Sequence, residues 1–146
     1  ARHDENLLIL ARTDACAVHG FEAALERAQL FSEAGADILF VEAVTTEAEI
    51  RSLPQRLDAP QLMNMVIGGK TPIFGTEELG ELGYGLVLYA NAALQGAVAG
   101  MQKALGVLRD TRRLDEDPAL VASFAERQRL VRKPAMDALD QRYTTV

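Results

Sequence analysis

Cysteine occurs once in these 146 residues, so no disulfide can close within the chain. A reducing cytoplasm is the expected compartment. Two histidines beside that single cysteine make no zinc-ligand set. Basic side chains are the minority, 15 against 21 acidic, for a formal charge of -6. With no basic stripe to neutralise phosphates, nucleic acid is not an expected partner. No apolar run is long enough to span a bilayer, and no charged-then-apolar leader opens the chain, so a membrane is not expected either. An initiating methionine is missing too. The chain starts on ARHDEN and is expected to be cut from something longer.

What is present is a folding sequence. Hydrophobic residues make up 49%, and the length suits one domain with a sizeable core. The apolar pattern switches between unbroken runs and helical spacing. LLILA (7–11), ADILFV (36–41), QLMNMV (61–66) and GLVLYA (85–90) read as short buried strands, because continuous apolar character is what a helix-covered parallel sheet requires. Between them, Phe21, Leu25, Ala28, Phe31 and Ala34 share a helical face, and Gly35 is placed to stop that helix. Thr46 and Glu49 form a capping-box pair for the next helix, which Pro54 should end or kink. Thr76 is expected to cap a short third helix closing at Gly83. Asn91 precedes a longer one with a stripe of Leu94, Ala97, Val98, Met101, Leu105 and Leu108.

The fold class is therefore α/β, with β-α repeated four times over roughly a hundred residues and right-handed parallel crossovers. Two architectures fit: a small doubly wound sheet, or half of an eight-stranded β/α barrel. After residue 111 the text changes. RLDEDP is a charged connector in which Asp117 can cap and Pro118 can open a helix. Helical text follows to the end, interrupted at Pro134, and carries Leu120, Phe124, Val131, Met136, Leu139 and Tyr143.

In such folds chemistry gathers where the carboxyl ends of the strands meet the loops. Those ends read Arg12-Thr13-Asp14, Glu42, Asn64, then Tyr89 and Asn91. Arg12 offers a planar fork for a carboxylate or phosphate. Glu42 can hold a metal-bound water, orient a neighbour or move a proton, and Asn64 can donate to an oxygen of an anion. A plainer reading makes Arg12 and Glu42 an architectural salt bridge, and Asp14 simply a helix cap. Cys16 lacks a persuasive histidine partner, since His19 is placed in a loop, and is read as a packing residue. GGKTP (68–72) lacks the glycine spacing of a phosphate loop and reads as a flexible loop over a pocket, with Lys70 solvated or gating.

Four ordered blocks, ILARTDA, AGADILFVEA, NMVIGGKTP and ELGYGLVLYANAALQGAV, resemble the second half of the isocitrate lyase and phosphoenolpyruvate mutase superfamily. The likeness covers residues 7 to about 110 and points to the oxaloacetate decarboxylase, dimethylmalate lyase and methylisocitrate lyase branches. It implies a (β/α)8 barrel binding Mg2+ and a small carboxylate, which cleaves or forms a bond beside a carbonyl through an enolate-like state. On that likeness Arg12 matches the substrate-binding arginine, Glu42 an active-site glutamate, and Asn64 a residue near the substrate carboxylate. Arg12 and Glu42 are thus the expected catalytic residues, with Arg12 and Asn64 binding substrate. The aspartates that hold magnesium lie on the family's earlier strands and have no counterpart here, so the metal ligands are expected upstream. Ile67 stands where members related to the carbon–carbon lyases often carry a glutamate.

The resemblance implies residues 1–112 as the C-terminal half of a barrel and 113–146 as a helical tail. Similar members pack their C-terminal helices on a neighbouring subunit, and a homo-oligomer, dimer or tetramer, is expected. The implied activity is that of a magnesium-dependent carbon–carbon lyase or decarboxylase on a small 2-hydroxy or 2-oxo dicarboxylate, the isolated stretch being inactive by itself. The alternatives are a phosphorus–carbon mutase or hydrolase of the same superfamily, or a non-catalytic half barrel.

Overall fold

In a computed structural model that describes residues 3–144, four short parallel strands follow one another in chain order. They are β1 (Leu10–Thr13), β2 (Ile38–Val41), β3 (Leu62–Asn64) and β4 (Leu86–Leu88). β1 pairs with β2, with Arg12 opposite Phe40, and β3 pairs with β4, with Asn64 opposite Leu88. A parallel bridge from Leu39 to Gln61 joins the two pairs, giving the order β1-β2-β3-β4. The connecting helices are α1 (Ala15–His19), α2 (Phe21–Glu33), α3 (Glu47–Arg56) and α4 (Thr76–Leu82). Then come α5 (Ala92–Thr111), α6 (Phe124–Leu130) and α7 (Lys133–Tyr143).

The core lies between the inner strands and their helices. Leu39, Val44, Ile50, Leu53, Met65 and Leu79 are its largest fully buried side chains. Each such burial contributes about 1.5–3 kcal/mol before ordering costs. The outer strands behave differently. Leu10 in β1 and Leu86 and Leu88 in β4 are 40%, 41% and 40% exposed. The expected buried strand at 7–11 is thus corrected: it begins at Leu10, and Leu7 and Leu8 precede it, both 64% exposed. The reason is positional, because β1 has a strand partner on one side only among the described residues.

The helix punctuation follows the sequence in part. Thr46 and Glu49 form the full capping box, and Gly35 and Gly83 close their helices with φ of 98° and 105°. α4, in contrast, is capped by Gly75, and Thr76 lies inside it. Pro134 does not interrupt a helix but sits in the first turn of α7, where its missing N–H costs nothing. The break falls instead at Arg132, with a φ of 52°. After Asp117 there is a single turn, fixed by its side chain on the Ala119 N–H, and the helix waits for the Ser123 cap.

Of the two expectations for Pro54, ending α3 is not met, since the helix runs on to Arg56. A proline at this position removes the N–H that would have bonded the Ile50 carbonyl. The buried Tyr84 hydroxyl replaces it, donating to Ile50 O at 2.7 Å, and its burial pushes the phenol pKa up. Tyr84→Phe should therefore leave a buried acceptor unpaired and destabilise by about 1–3 kcal/mol. Urea unfolding checks this: the midpoint should fall at unchanged slope. Adding Pro54→Ala, which restores a helical N–H, should recover part of the loss.

By contacts the chain divides into two compact units, Ala1–Ala92 and Ala93–Val146. Nearly all of α5 groups with the segment that follows it. Within that second unit Lys103 Nζ donates to Ala119 O at 3.0 Å. The stripe of α5 is exposed, and the buried residue of the helix, Ala104, lies outside that stripe. Among the described residues no helix is long and apolar enough to cross a membrane.

Candidate active site

Parallel strands point all their carboxyl ends the same way, so three polar residues far apart in sequence become neighbours. Arg12 near the end of β1, Glu42 just past β2 and Asn64 closing β3 meet there. Arg12 Nη2 lies 3.5 Å from Glu42 Oε2, and Asn64 Nδ2 donates to the same oxygen at 3.4 Å. The other Glu42 oxygen accepts from the Ala43 N–H at 3.3 Å. Glu42 thus stands between an ion pair with Arg12 and a hydrogen bond from Asn64. Asn64 Oδ1 is buried with no hydrogen-bond partner among the described residues.

Arg12 has a closer partner that sequence reasoning assigned elsewhere. Its Nε and Nη2 donate to both oxygens of Asp14, at 3.1 and 2.7 Å. Asp14 stands at the N-cap of α1 but makes no side-chain capping bond, which corrects the capping expectation. The two-pronged charged pair outcompetes a cap, and Thr13 Oγ1 takes the Ala15 N–H instead. The hydrogen bond from Arg12 holds the Asp14 carboxyl below the ordinary carboxylate range, and Asp14 raises the guanidinium in return. Any stability from this pair is present above the ordinary carboxylate range and fades as pH falls through the lowered pKa. It is modest, because both side chains are half exposed or more. The guanidinium also lies over the Phe40 ring, 5.1 Å from its centroid. Neither carboxylate takes its Nη1 donors.

A cavity of about 310 Å³ opens beside Arg12, lined also by Asp14, His19, Arg27 and Phe31. Glu42 and Asn64 do not line it. His19 closes α1 and is not in a loop. Cys16 is half buried, and burial pushes its thiol pKa up, away from the thiolate a nucleophile needs. Tyr89 and Asn91 are exposed after β4. Among the described residues no group of three His, Cys, Asp or Glu side chains could hold a metal ion.

Two features of the site carry no sequence signal. Ala43, next to Glu42, has a φ of 64°. That conformation costs a non-glycine residue about 1–2 kcal/mol, and alanine gives no warning of it. The second is the fastening of the loop that carries GGKTP (68–72), which the sequence reads as flexible. The loop turns at Val66–Gly69, with the Gly69 N–H on Val66 O at 2.9 Å, and Thr71 Oγ1 donates to Val44 O at 2.7 Å. Its backbone suits glycine. Gly68 has a φ of 77°, and a Cβ on Gly69 would stand 3.0 Å from the Val66 carbonyl.

Comparison with known proteins adds to this geometry. The model of the phosphoenolpyruvate phosphomutase family matches residues 1–108. A 2-methylisocitrate lyase of Aeropyrum pernix is 45% identical over 105 residues, covering 72% of this chain and 33% of the relative. The solved 2,3-dimethylmalate lyase, described as a PEP mutase/isocitrate lyase superfamily member, superposes with a TM-score of 0.83 at 30% identity, over 94% of this chain and 45% of that one. Oxaloacetate acetylhydrolase in complex with the product oxalate gives 0.77 at 26% identity, over 91% and 45%. The chain therefore spans from a third to under half of the length of these proteins.

Proposed function

The chain belongs to the phosphoenolpyruvate phosphomutase family, within the PEP mutase/isocitrate lyase superfamily, and from that premise we propose that the complete protein is a carbon–carbon lyase acting on a small 2-hydroxy or 2-oxo carboxylate. On this reading the four strands are consecutive staves of a (β/α)8 barrel, and the polar cluster sits at its mouth. The observation that carries the proposal is the Glu42 carboxylate shared by Arg12 and Asn64 at the carboxyl ends of three successive strands. The relatives of 30% identity or more described above are lyases, which favours carbon–carbon chemistry over the phosphorus–carbon alternative.

Cleavage of a 2-hydroxy acid proceeds as follows. A base takes the hydroxyl proton, the carbon that bore it becomes a carbonyl, and the adjacent carbon–carbon bond breaks. The electron pair moves to the carbon beside a second carboxylate, giving an enolate-like dianion that is then protonated. Arg12 has donors left after its pairing with Asp14, and these grip a substrate carboxylate. Asn64 donates with the N–H not spent on Glu42. Glu42 keeps both donors aimed at the charge that builds up in the transition state, where a fixed donor is worth most. Magnesium belongs to the reading of the complete protein, where it would polarise the carbonyl oxygen. The residues described here do not form a metal site by themselves, and no step above runs through one.

The test is to incubate the full-length protein with 2-methylisocitrate, 2,3-dimethylmalate, oxaloacetate and phosphonopyruvate and to follow each by NMR. Carbon–carbon cleavage of at least one of the first three, at a kcat/KM of about 10⁴ M⁻¹s⁻¹ or more, is expected. Turnover of phosphonopyruvate alone would move the assignment to phosphorus–carbon chemistry. Turnover of none would make the chain a non-catalytic member.

A further inference from the structure

Glu42 leaves β2 through a residue that resists its own conformation. Ala43 is left-handed, and the segment after it is fastened in several places. The Val44 side chain is buried, 1% exposed, and the Thr45 and Thr46 N–H groups both donate to Glu49 Oε2, at 3.1 and 3.0 Å. Val44 packs into the core shared with other elements, and one further fastening is a hydrogen bond from far along the chain. It is the Thr71 hydroxyl, 27 residues away, on the Val44 carbonyl at 2.7 Å. Thr71 belongs to a loop that is itself held. The Val66–Gly69 turn fixes one side of it, and the N–H of buried Phe74 reaches Met65 Sδ at 3.4 Å on the other.

From this arrangement we infer that Thr71 is a positioning residue for Glu42, locking Ala43 in its left-handed conformation by holding the next carbonyl. The inference rests on the role proposed for Glu42 above. Physically it is a matter of which conformation Ala43 adopts when released. Without the hydroxyl, the peptide between Val44 and Thr45 loses one of the two bonds that fix its plane, the other being the Thr45 N–H on Glu49, and Ala43 relaxes toward ordinary negative φ. The Glu42 N–H stays fixed on Thr13 O at 3.0 Å, so the change in φ is taken up by turning the peptide between Glu42 and Ala43, and the Glu42 carboxylate, which accepts from the N–H of that peptide, follows it away from Arg12 and Asn64. A displacement of about an ångström at such a point is enough to lower turnover by one to two orders of magnitude.

Three variants of the full-length protein test this. Thr71→Val keeps the shape and removes the donor, so kcat should fall about tenfold with KM within about twofold. Thr71→Ser keeps the donor and should return kcat to within about twofold of the parent. Ala43→Gly adopts positive φ without steric cost, so in that background Thr71→Val should cost no more than about threefold. Equal losses in both backgrounds, or a Thr71→Val enzyme within twofold of the parent, would overturn the inference. Hydrogen exchange gives a reading that needs no turnover. Amides of residues 43–46 should exchange faster in Thr71→Val than in the parent or in Thr71→Ser. If the parent protein cleaves none of the substrates, the lyase proposal fails while exchange still decides whether the latch exists, and unchanged exchange sinks it.

Discussion

Replacing Arg12 with lysine in the full-length protein should lower kcat/KM by about 2–4 kcal/mol, roughly thirty- to a thousandfold. The size follows from what the guanidinium does at once. Two of its nitrogens fork onto Asp14, one of them also approaches Glu42, and its plane lies over Phe40. Those contacts use one edge of the group and leave the other for a carboxylate. An ammonium keeps the charge, but it is a point donor and cannot satisfy Asp14, face Glu42 and grip a substrate in fixed directions together. The loss should fall mainly on kcat, since donors aimed at developing charge matter most in the transition state. Steady-state kinetics on the favoured substrate decide the matter. Parent-like kcat and KM in the lysine variant would return Arg12 to an architectural ion pair, the plainer reading of its sequence position.

How far the site could be read from sequence depends on the range of the forces involved. Arg12, Glu42 and Asn64 could be grouped because strand periodicity is local, and parallel strands place all their carboxyl ends at one edge. The Thr46–Glu49 box and the closing glycines 35 and 83 were legible for the same reason: each is settled within a few residues. What escaped was decided by partners distant in the chain. Pro54 passes through α3 because Tyr84, 34 residues from the Ile50 carbonyl, supplies the missing donor. The positive φ of Ala43 is held from Thr71, and no propensity scale marks an alanine for that conformation. Asp14 reads as a cap until Arg12, two residues back, takes both its oxygens. Even a short-range competitor can win when it is a charge-assisted fork. The continuous apolar run at 7–11 predicted burial, yet burial depends on what lies on both sides of a strand, and β1 has only β2 beside it among the described residues.

The tail is where the second large effect is expected. α6 and α7 bury none of their residues. Phe124, Leu130, Val131, Met136, Leu139 and Tyr143 are 45% to 69% exposed. On α7, Met136, Leu139 and Tyr143 recur at helical spacing, while Lys133 and Asp137 pair one turn apart. Charge occupies one side of this helix and large apolar groups another. Left in water, such a face is the kind that soluble monomers rarely present. Covering it is worth about 1.5–3 kcal/mol for each side chain fully buried, less the entropy of fixing it. Five or six of them make a contribution that a stable association can be built on. A second copy of the chain is the partner we expect, because closed symmetric homo-oligomers are the commonest way such a face is covered. Removing residues 116–146 from the full-length protein should then reduce its mass in solution to that of a smaller assembly, measured by light scattering at matched concentration. A truncated protein that keeps the assembly state of the intact one would show that the apolar face of the tail has another use.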